Sequence, residues 1–299
     1  MRKLSLLLAV SLLISCFCAC DGEDTISLDS AETSATPDSV MTDADMSYPD
    51  ESTPSQNNSS ATSSNNQSSK EQVSSKNEST DTDADYNEDA FIPERDPEKE
   101  EWEQWYMVLA NPDNELSKEY IENVDKATIN SSYSTNRASS KYLDSRAVDA
   151  FVAMCKAAKK DKIKLYAVSA YRTYSYQEGL FKRRIQRFID ENGLGREAAE
   201  KKAATMVARP GTSEHHLGLA VDINSVETSF EKTKEFKWLQ DNAEKYGFVL
   251  RYPKNKKSIT KIIYEPWHYR FVGVEHAKEM NRLGLCLEEY IEYLKGQHN

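Results

Sequence analysis

His215 and Asp222 stand seven residues apart in Ser213-Glu214-His215-His216-Leu217-Gly218-Leu219-Ala220-Val221-Asp222, within a chain that holds five histidines in 299 residues. A neutral imidazole and a carboxylate both bind metal ions. On one continuous strand an odd spacing sends two side chains to opposite faces, so both reach one ion only if the chain turns after His215, near Gly218. Gly218 and Ala220 share the face of Asp222 and leave room beside it. Fifty residues beyond His215, Glu265-Pro266-Trp267-His268-Tyr269 supplies another histidine with an acid three positions ahead. Two imidazoles and one carboxylate are a familiar ligand set for catalytic Zn²⁺, whose fourth position keeps a water with its pKa lowered to about 7. A free carboxylate nearby then takes that water's proton.

These segments resemble the VanY-type zinc carboxypeptidases of the D-alanyl-D-alanine metallopeptidase family, whose signatures SxHxxGxAxD and ExxH are both intact. The resemblance covers about residues 145 to 290. It implies His215, Asp222 and His268 as the zinc ligands and Glu265 as the general base. Ser169-Ala170-Tyr171-Arg172-Thr173-Tyr174-Ser175-Tyr176-Gln177 is similar to the family's SxYRS segment with its trailing glutamine. By that likeness Arg172 holds the scissile carbonyl oxygen as it becomes an oxyanion, a task suited to a fixed guanidinium, and Gln177 helps to position the peptide. The sequence departs from the pattern at His216, where relatives often have Gln, and at Ala170, where Gly is usual. Neither change removes a catalytic group, and the spacing to Ser213, Gly218 and Asp222 selects His215 as the ligand.

The implied activity is zinc-dependent removal of the terminal D-alanine from peptidoglycan stem peptides, a D,D-carboxypeptidase. An L,D-carboxypeptidase acting on the tetrapeptide stem is the alternative within the same chemistry, and a non-catalytic wall-binding module the alternative outside it. Three further residues are candidates for substrate contact. Ser213 and Arg209 lie in the turn-rich Arg209-Pro210-Gly211-Thr212-Ser213, just before the first ligand, where a terminal carboxylate would be met. Trp267 either walls the pocket or fills the core. His276 and His298 have no acidic company at ligand spacing and are read as solvent-facing.

The elements that must carry these residues follow from periodicity. Val148, Phe151, Val152 and Cys155 recur at helical spacing over 147–159, and Leu165 to Ala170 reads as a strand. Leu180, Phe181, Ile185, Phe188 and Ile189 mark a second helix, with Arg and Lys on its solvated face and an end at Asn192-Gly193. Residues 195–207 read as a third helix, Leu217 to Ile223 as a strand, and Phe236, Leu239, Ala243 and Tyr246 as a fourth helix stopped by Gly247. Phe248 to Tyr252 and Lys261 to Tyr264 read as strands, and two short helices close the chain. Helices and strands mix without regular alternation, which predicts an α+β fold. The resemblance adds a central antiparallel sheet with flanking helices.

Composition divides the chain into three. Arg2 and Lys3 precede an apolar stretch from Leu4 to Ile14 that is too short to span a bilayer, the pattern of an export signal over 1–20. Leu13-Ile14-Ser15-Cys16 is similar to a bacterial lipobox and marks Cys16 for lipidation, with Cys20 a second candidate. Residues 21–100 hold 21 Asp+Glu against 4 Lys+Arg amid Ser, Thr and Asn, and almost nothing apolar. That composition predicts a disordered tether with a span of roughly 50 Å. Residues 101–299 carry a near-balanced charge of +4 and form the expected catalytic domain. The expected product is an extracytoplasmic lipoprotein on the membrane, facing the cell wall, with stem peptides as partners and no nucleic acid. Cys155 and Cys286 alone lie beyond the N-terminal cysteines, which excludes a disulfide scaffold.

Overall fold

The structure, a computed structural model, describes residues 91–297. The export signal, Cys16, His298 and residues 21–90 lie outside the described residues. Six strands and eight α-helices follow in the order α1 (Lys118–Glu122), β1 (Lys126–Thr128), β2 (Tyr142–Asp144), α2 (Val148–Lys160), β3 (Ala167–Ser169), α3 (Tyr174–Asn192), α4 (Arg196–Ala203), β4 (Ala220–Ile223), α5 (Lys234–Asn242), β5 (Phe248–Leu250), α6 (Lys257–Thr260), β6 (His268–Phe271), α7 (Val274–Leu283) and α8 (Leu287–Gln297). The class is α+β. Strands β1 and β2 pair with each other, and the other four make an antiparallel sheet in the order β3-β4-β6-β5.

Strand alternation sorts that sheet into an apolar and a polar face. Val221, Ile223, Tyr269, Phe271 and Phe248 join Phe151, Met154 and Ala158 of α2 in the main core, with the Phe248 ring 5.4 Å from Phe271 and 6.2 Å from Phe151. Helices α3 and α4 close a smaller cluster of their own through Phe181, Ile185, Phe188, Ala199 and Ala203. The register places Ser169 beside Asp222 and Asp222 beside His268, with Ala220 beside Arg270. Three strands thus align a row of polar side chains on one level, on the opposite face of β4 and β6 from Val221 and Tyr269.

The turn required after His215 is present. Residues Glu214–Leu217 form a short 3₁₀ helix that ends on Gly218 in the left-handed region, φ 69°, and the chain then enters β4. A Cβ on Gly218 would sit 2.7 Å from the Asp144 backbone nitrogen. That nitrogen donates to the Gly218 carbonyl at 2.9 Å, so no side chain fits between them.

Three expectations are corrected. Lys261 to Tyr264 is not a strand: α6 ends on Lys261 at φ 64°, and no sheet edge accepts the next residues. They are pinned singly instead, Ile263 N–H to Thr205 O at 2.9 Å and Glu265 N–H to Tyr252 O at 3.1 Å. Residues 91–100, assigned by composition to the tether, pack on the domain. The Phe91 ring lies 5.8 Å from Tyr246, and the buried Gln104 side chain bonds the backbone of Asp96 and Lys99. His276 is not solvent-facing but bonded to Tyr290 Oη at 2.9 Å and Glu101 at 2.7 Å, tying α7 to α8 and to the 3₁₀ turn at Glu101–Glu103. Cys155 and Cys286 are both buried and free.

Gly218→Ala combines a left-handed backbone with an overlap on the neighbouring chain, and is expected to cost about 1–3 kcal/mol or more of folding stability. Chemical denaturation of the variant against the wild type measures it.

Candidate metal centre

His215, Asp222 and His268 converge: one ligand atom from each lies within 4.8 Å of the other two, and all three residues are buried. His215 donates from Nδ1 to the Ala170 carbonyl at 2.6 Å, which fixes the tautomer and turns the bare Nε2 toward Asp222 Oδ2, 3.4 Å away. His268 presents Nδ1 to Asp222 Oδ1 at 3.3 Å and to Glu265 Oε2 at 3.4 Å. His216, by contrast, spends both ring nitrogens on backbone, Nδ1 donating to Arg172 O at 2.8 Å and Nε2 accepting from Gly211 N–H at 3.2 Å. That leaves His216 no lone pair for a metal.

The residues fit a divalent cation on the grounds of their own chemistry. His215 Nε2 and His268 Nδ1 each lie 3.3–3.4 Å from an oxygen of the Asp222 carboxylate, and the three donor atoms lie within 4.8 Å of one another, close enough to share one ion. Asp222 Oδ1 is buried and has no hydrogen-bond partner. An orphaned carboxylate oxygen beside two imidazoles is costly unless a cation satisfies it.

The electrostatics agree. Burial opposes ionisation of Asp222, yet the neighbouring imidazoles and the Arg172 guanidinium outweigh it and hold the carboxyl well below its usual range. Burial and Arg172 bring His215 down to about 4, against the pull of Asp222. Burial also lowers His268, but Asp222, Glu214 and Glu265 more than offset it and push the ring up to about 10. Asp222 is thus held ionised and His215 neutral, the forms in which each offers a lone pair to a cation.

Arg172 and Glu265 complete the constellation. Arg172 gives Nη2 to Asp222 Oδ2 at 2.6 Å, Nε to Ser169 Oγ at 2.8 Å and Nη1 to Gln177 at 3.3 Å. A guanidinium has five N–H groups, so two remain for the cleft. Burial raises the pKa of Glu265, although His268 pulls it the other way. Both residues line one open cleft with the three convergent residues, Ser213, Tyr252 and Trp267.

Not every expected contact is there. Gln177 is 1 % exposed and bonded to Arg172 and to Ala208 O at 2.7 Å, so it orients Arg172 rather than a peptide. Arg209 turns away from the cleft to pair with Glu200 and lie over Phe181. Trp267 does both things considered for it, lining the cleft and belonging to the core.

Glu214 went unnoticed. It is fully buried behind His268, with Oε1 taking Arg251 Nε at 2.7 Å and Arg270 Nη1 at 2.9 Å, while Oε2 faces His268 Nε2 across 3.7 Å. Burial penalises its charge, but the two arginines outweigh that and keep it ionised well below the usual carboxylate range. Arg251 reaches on to Glu288, and Arg270 to the carbonyls of Tyr106 and Val108. A signal existed in the sequence: an acid next to His215 inside a run that is otherwise apolar.

The family model described as VanY, D-alanyl-D-alanine carboxypeptidase, matches residues 140–274. A VanY D,D-pentapeptidase of a VanB-type vancomycin-resistance cassette, solved as a glutamate-to-alanine mutant with Zn(II), is 34 % identical at a TM-score of 0.54, covering 63 % of this chain and 99 % of that one. The chain belongs to the VanY family. Within it, the LdcB LD-carboxypeptidase structure is 40 % identical, TM-score 0.54, over 62 % of this chain and 84 % of that one. A provisionally named carboxypeptidase of Bacillus subtilis, YodJ, is 45 % identical over 52 % of this chain, and the D-alanyl-D-alanine carboxypeptidase of Enterococcus faecalis 35 % identical over 63 %. The matches span 55 % and 66 % of those two curated relatives' own lengths.

Glu214→Ala takes the shared carboxylate from two buried guanidinium groups and is expected to cost about 3–5 kcal/mol. Urea unfolding monitored by tryptophan fluorescence checks it; a loss under 1 kcal/mol, roughly the worth of a surface ion pair, would mean the network is unimportant.

Proposed function

We propose that this protein is a zinc-dependent D,D-carboxypeptidase that releases the terminal D-alanine of peptidoglycan stem peptides. The convergence of His215 Nε2, His268 Nδ1 and the Asp222 carboxylate beside Glu265 in one cleft carries the reading. Its support from relatives is a VanYB structure with bound D-alanine-D-alanine, 34 % identical with a TM-score of 0.55, together with the Zn(II) complex above.

His215, Asp222 and His268 would hold the ion. Zinc, when bound, supplies a Lewis acid that acidifies water and polarises a carbonyl. Glu265, a buried carboxylate with a raised pKa, takes a proton from the attacking water and returns it to the departing amino group. Arg172, held by Asp222, Ser169 and Gln177, turns its remaining N–H groups to the carbonyl oxygen as charge develops there. The Ala170 carbonyl orients the His215 imidazole from behind, and the Glu214 carboxylate lies 3.7 Å behind His268 Nε2.

The 40 % identity to an LD-carboxypeptidase favours a second reading, action on the tetrapeptide stem. Mass spectrometry of products from both stem peptides decides between the two. Asp222→Ala is expected to lose zinc and turnover together. Glu265→Gln is expected to keep zinc and lose turnover by at least about 100-fold, in line with the role of a positioned general base. Full zinc occupancy in the first, or near-normal rates in the second, contradicts the respective role.

We further propose export and anchoring through a lipid on Cys16, supported by the lipobox-like Leu13-Ile14-Ser15-Cys16. Cys16→Ala is expected to abolish labelling by a fatty-acid probe and to move the protein out of the membrane fraction. Unchanged labelling would remove Cys16 from the account.

A further inference from the structure

Three arginines are buried among the described residues, and two of them are paired. Arg251 and Arg270 both meet Glu214. The third, Arg184, is 4 % exposed, yet its Nε has no hydrogen-bond partner, and it forms no ion pair among the described residues. Its recorded neighbour is the Phe188 ring, 5.7 Å from the guanidinium carbon. It stands on the buried stripe of α3 with Leu180, Phe181, Ile185 and Phe188, where a leucine would serve packing better. Burial lowers its pKa, and the more distant Glu191 and Glu265 only partly offset that. A buried, unpaired guanidinium is expensive, and the cost is recovered where an anion arrives to complete it.

Arg184 lines the same cleft as Arg172, Glu265 and the three convergent donors. The same cleft has an apolar wall, made by Leu180, Met206, Val207, Ile262 and Ile263. We infer that Arg184 receives the C-terminal carboxylate of the peptide, on the residue that is released, and so restricts the enzyme to chain ends. The assignment rests on the carboxypeptidase reading above. A planar guanidinium matches a carboxylate through two parallel hydrogen bonds. A cation this deeply buried is reached by the end of a chain, whose terminal residue has nothing beyond it. An acidic side chain midway along the stem would have to bring both flanking segments in with it. The apolar wall suits the single methyl of an alanine beside the carboxylate. Arg209, the residue that sequence suggested for this task, is engaged with Glu200.

The test uses the zinc-loaded full-length protein and two substrates, a pentapeptide stem ending in a free acid and the same peptide as its C-terminal amide. The wild type is expected to prefer the acid by on the order of 100-fold in kcat/KM, the scale of losing one partner from a buried charge pair. In Arg184→Met that preference should fall to a few-fold, chiefly through KM for the acid, with zinc content unchanged. Arg184→Gln, polar but neutral, gives the same reading if the methionine variant does not fold. A variant that keeps the wild-type ratio of acid to amide overturns the assignment, as does an equal loss on both substrates, which is the mark of a merely structural residue. The tetrapeptide acid and amide are run as the same pair, and if the wild type cleaves neither the pentapeptide nor the tetrapeptide acid, the carboxypeptidase reading falls and this assignment with it.

Discussion

The pairing of Asp222 with His268 across β4 and β6 is the constraint on which the site depends. A one-residue slip of either strand would turn its ligand into the Val221 and Tyr269 core and break the ligand set. The register is defended from both faces. Below it lie the aromatic contacts of Phe248, Phe271 and Phe151; above it, the Glu214 carboxylate binds Arg270 of the same strand. Gly218 then lets the 3₁₀ turn fold His215 back over the row, a path no residue with a Cβ follows without strain.

Behind the donor atoms lies a second layer that is charged and dry. Glu214, Arg251, Arg270 and Glu288 are joined by bonds of 2.6–2.9 Å, and the first three are almost wholly buried. Such a network contributes little net stability compared with apolar packing, but it has one good geometry. In this protein that geometry places the Glu214 carboxylate 3.7 Å behind His268 Nε2. The same logic explains Arg172, whose three bonds to Asp222, Ser169 and Gln177 draw β3, β4 and α3 together at the cleft.

Much of this was legible in the sequence, because the convergent residues sit in short motifs and the helices α2 and α3 show plain apolar periodicity. Gly193, Gly218 and Gly247 all end elements in the left-handed region, as glycine at those positions suggests. Strand β6 was harder to see: His268-Tyr269-Arg270-Phe271 is buried on both faces, so its polar positions carry no solvent signal. Lys261 to Tyr264 has strand-like composition but no partner, and pairing is not a local property. Arg184 hid among the basic residues of α3, although its place four residues from both Leu180 and Phe188 put it on the apolar stripe. Arg209 misled because a loop beside the site need not point into it.

The most direct test of the account is anomalous diffraction at the zinc edge from crystals of the metal-loaded protein. One peak is predicted about 2.0–2.2 Å from His215 Nε2, His268 Nδ1 and an Asp222 oxygen, with Glu265 left uncoordinated. A zinc ion bound through His216 or Glu214, or placed outside the cleft, would contradict it.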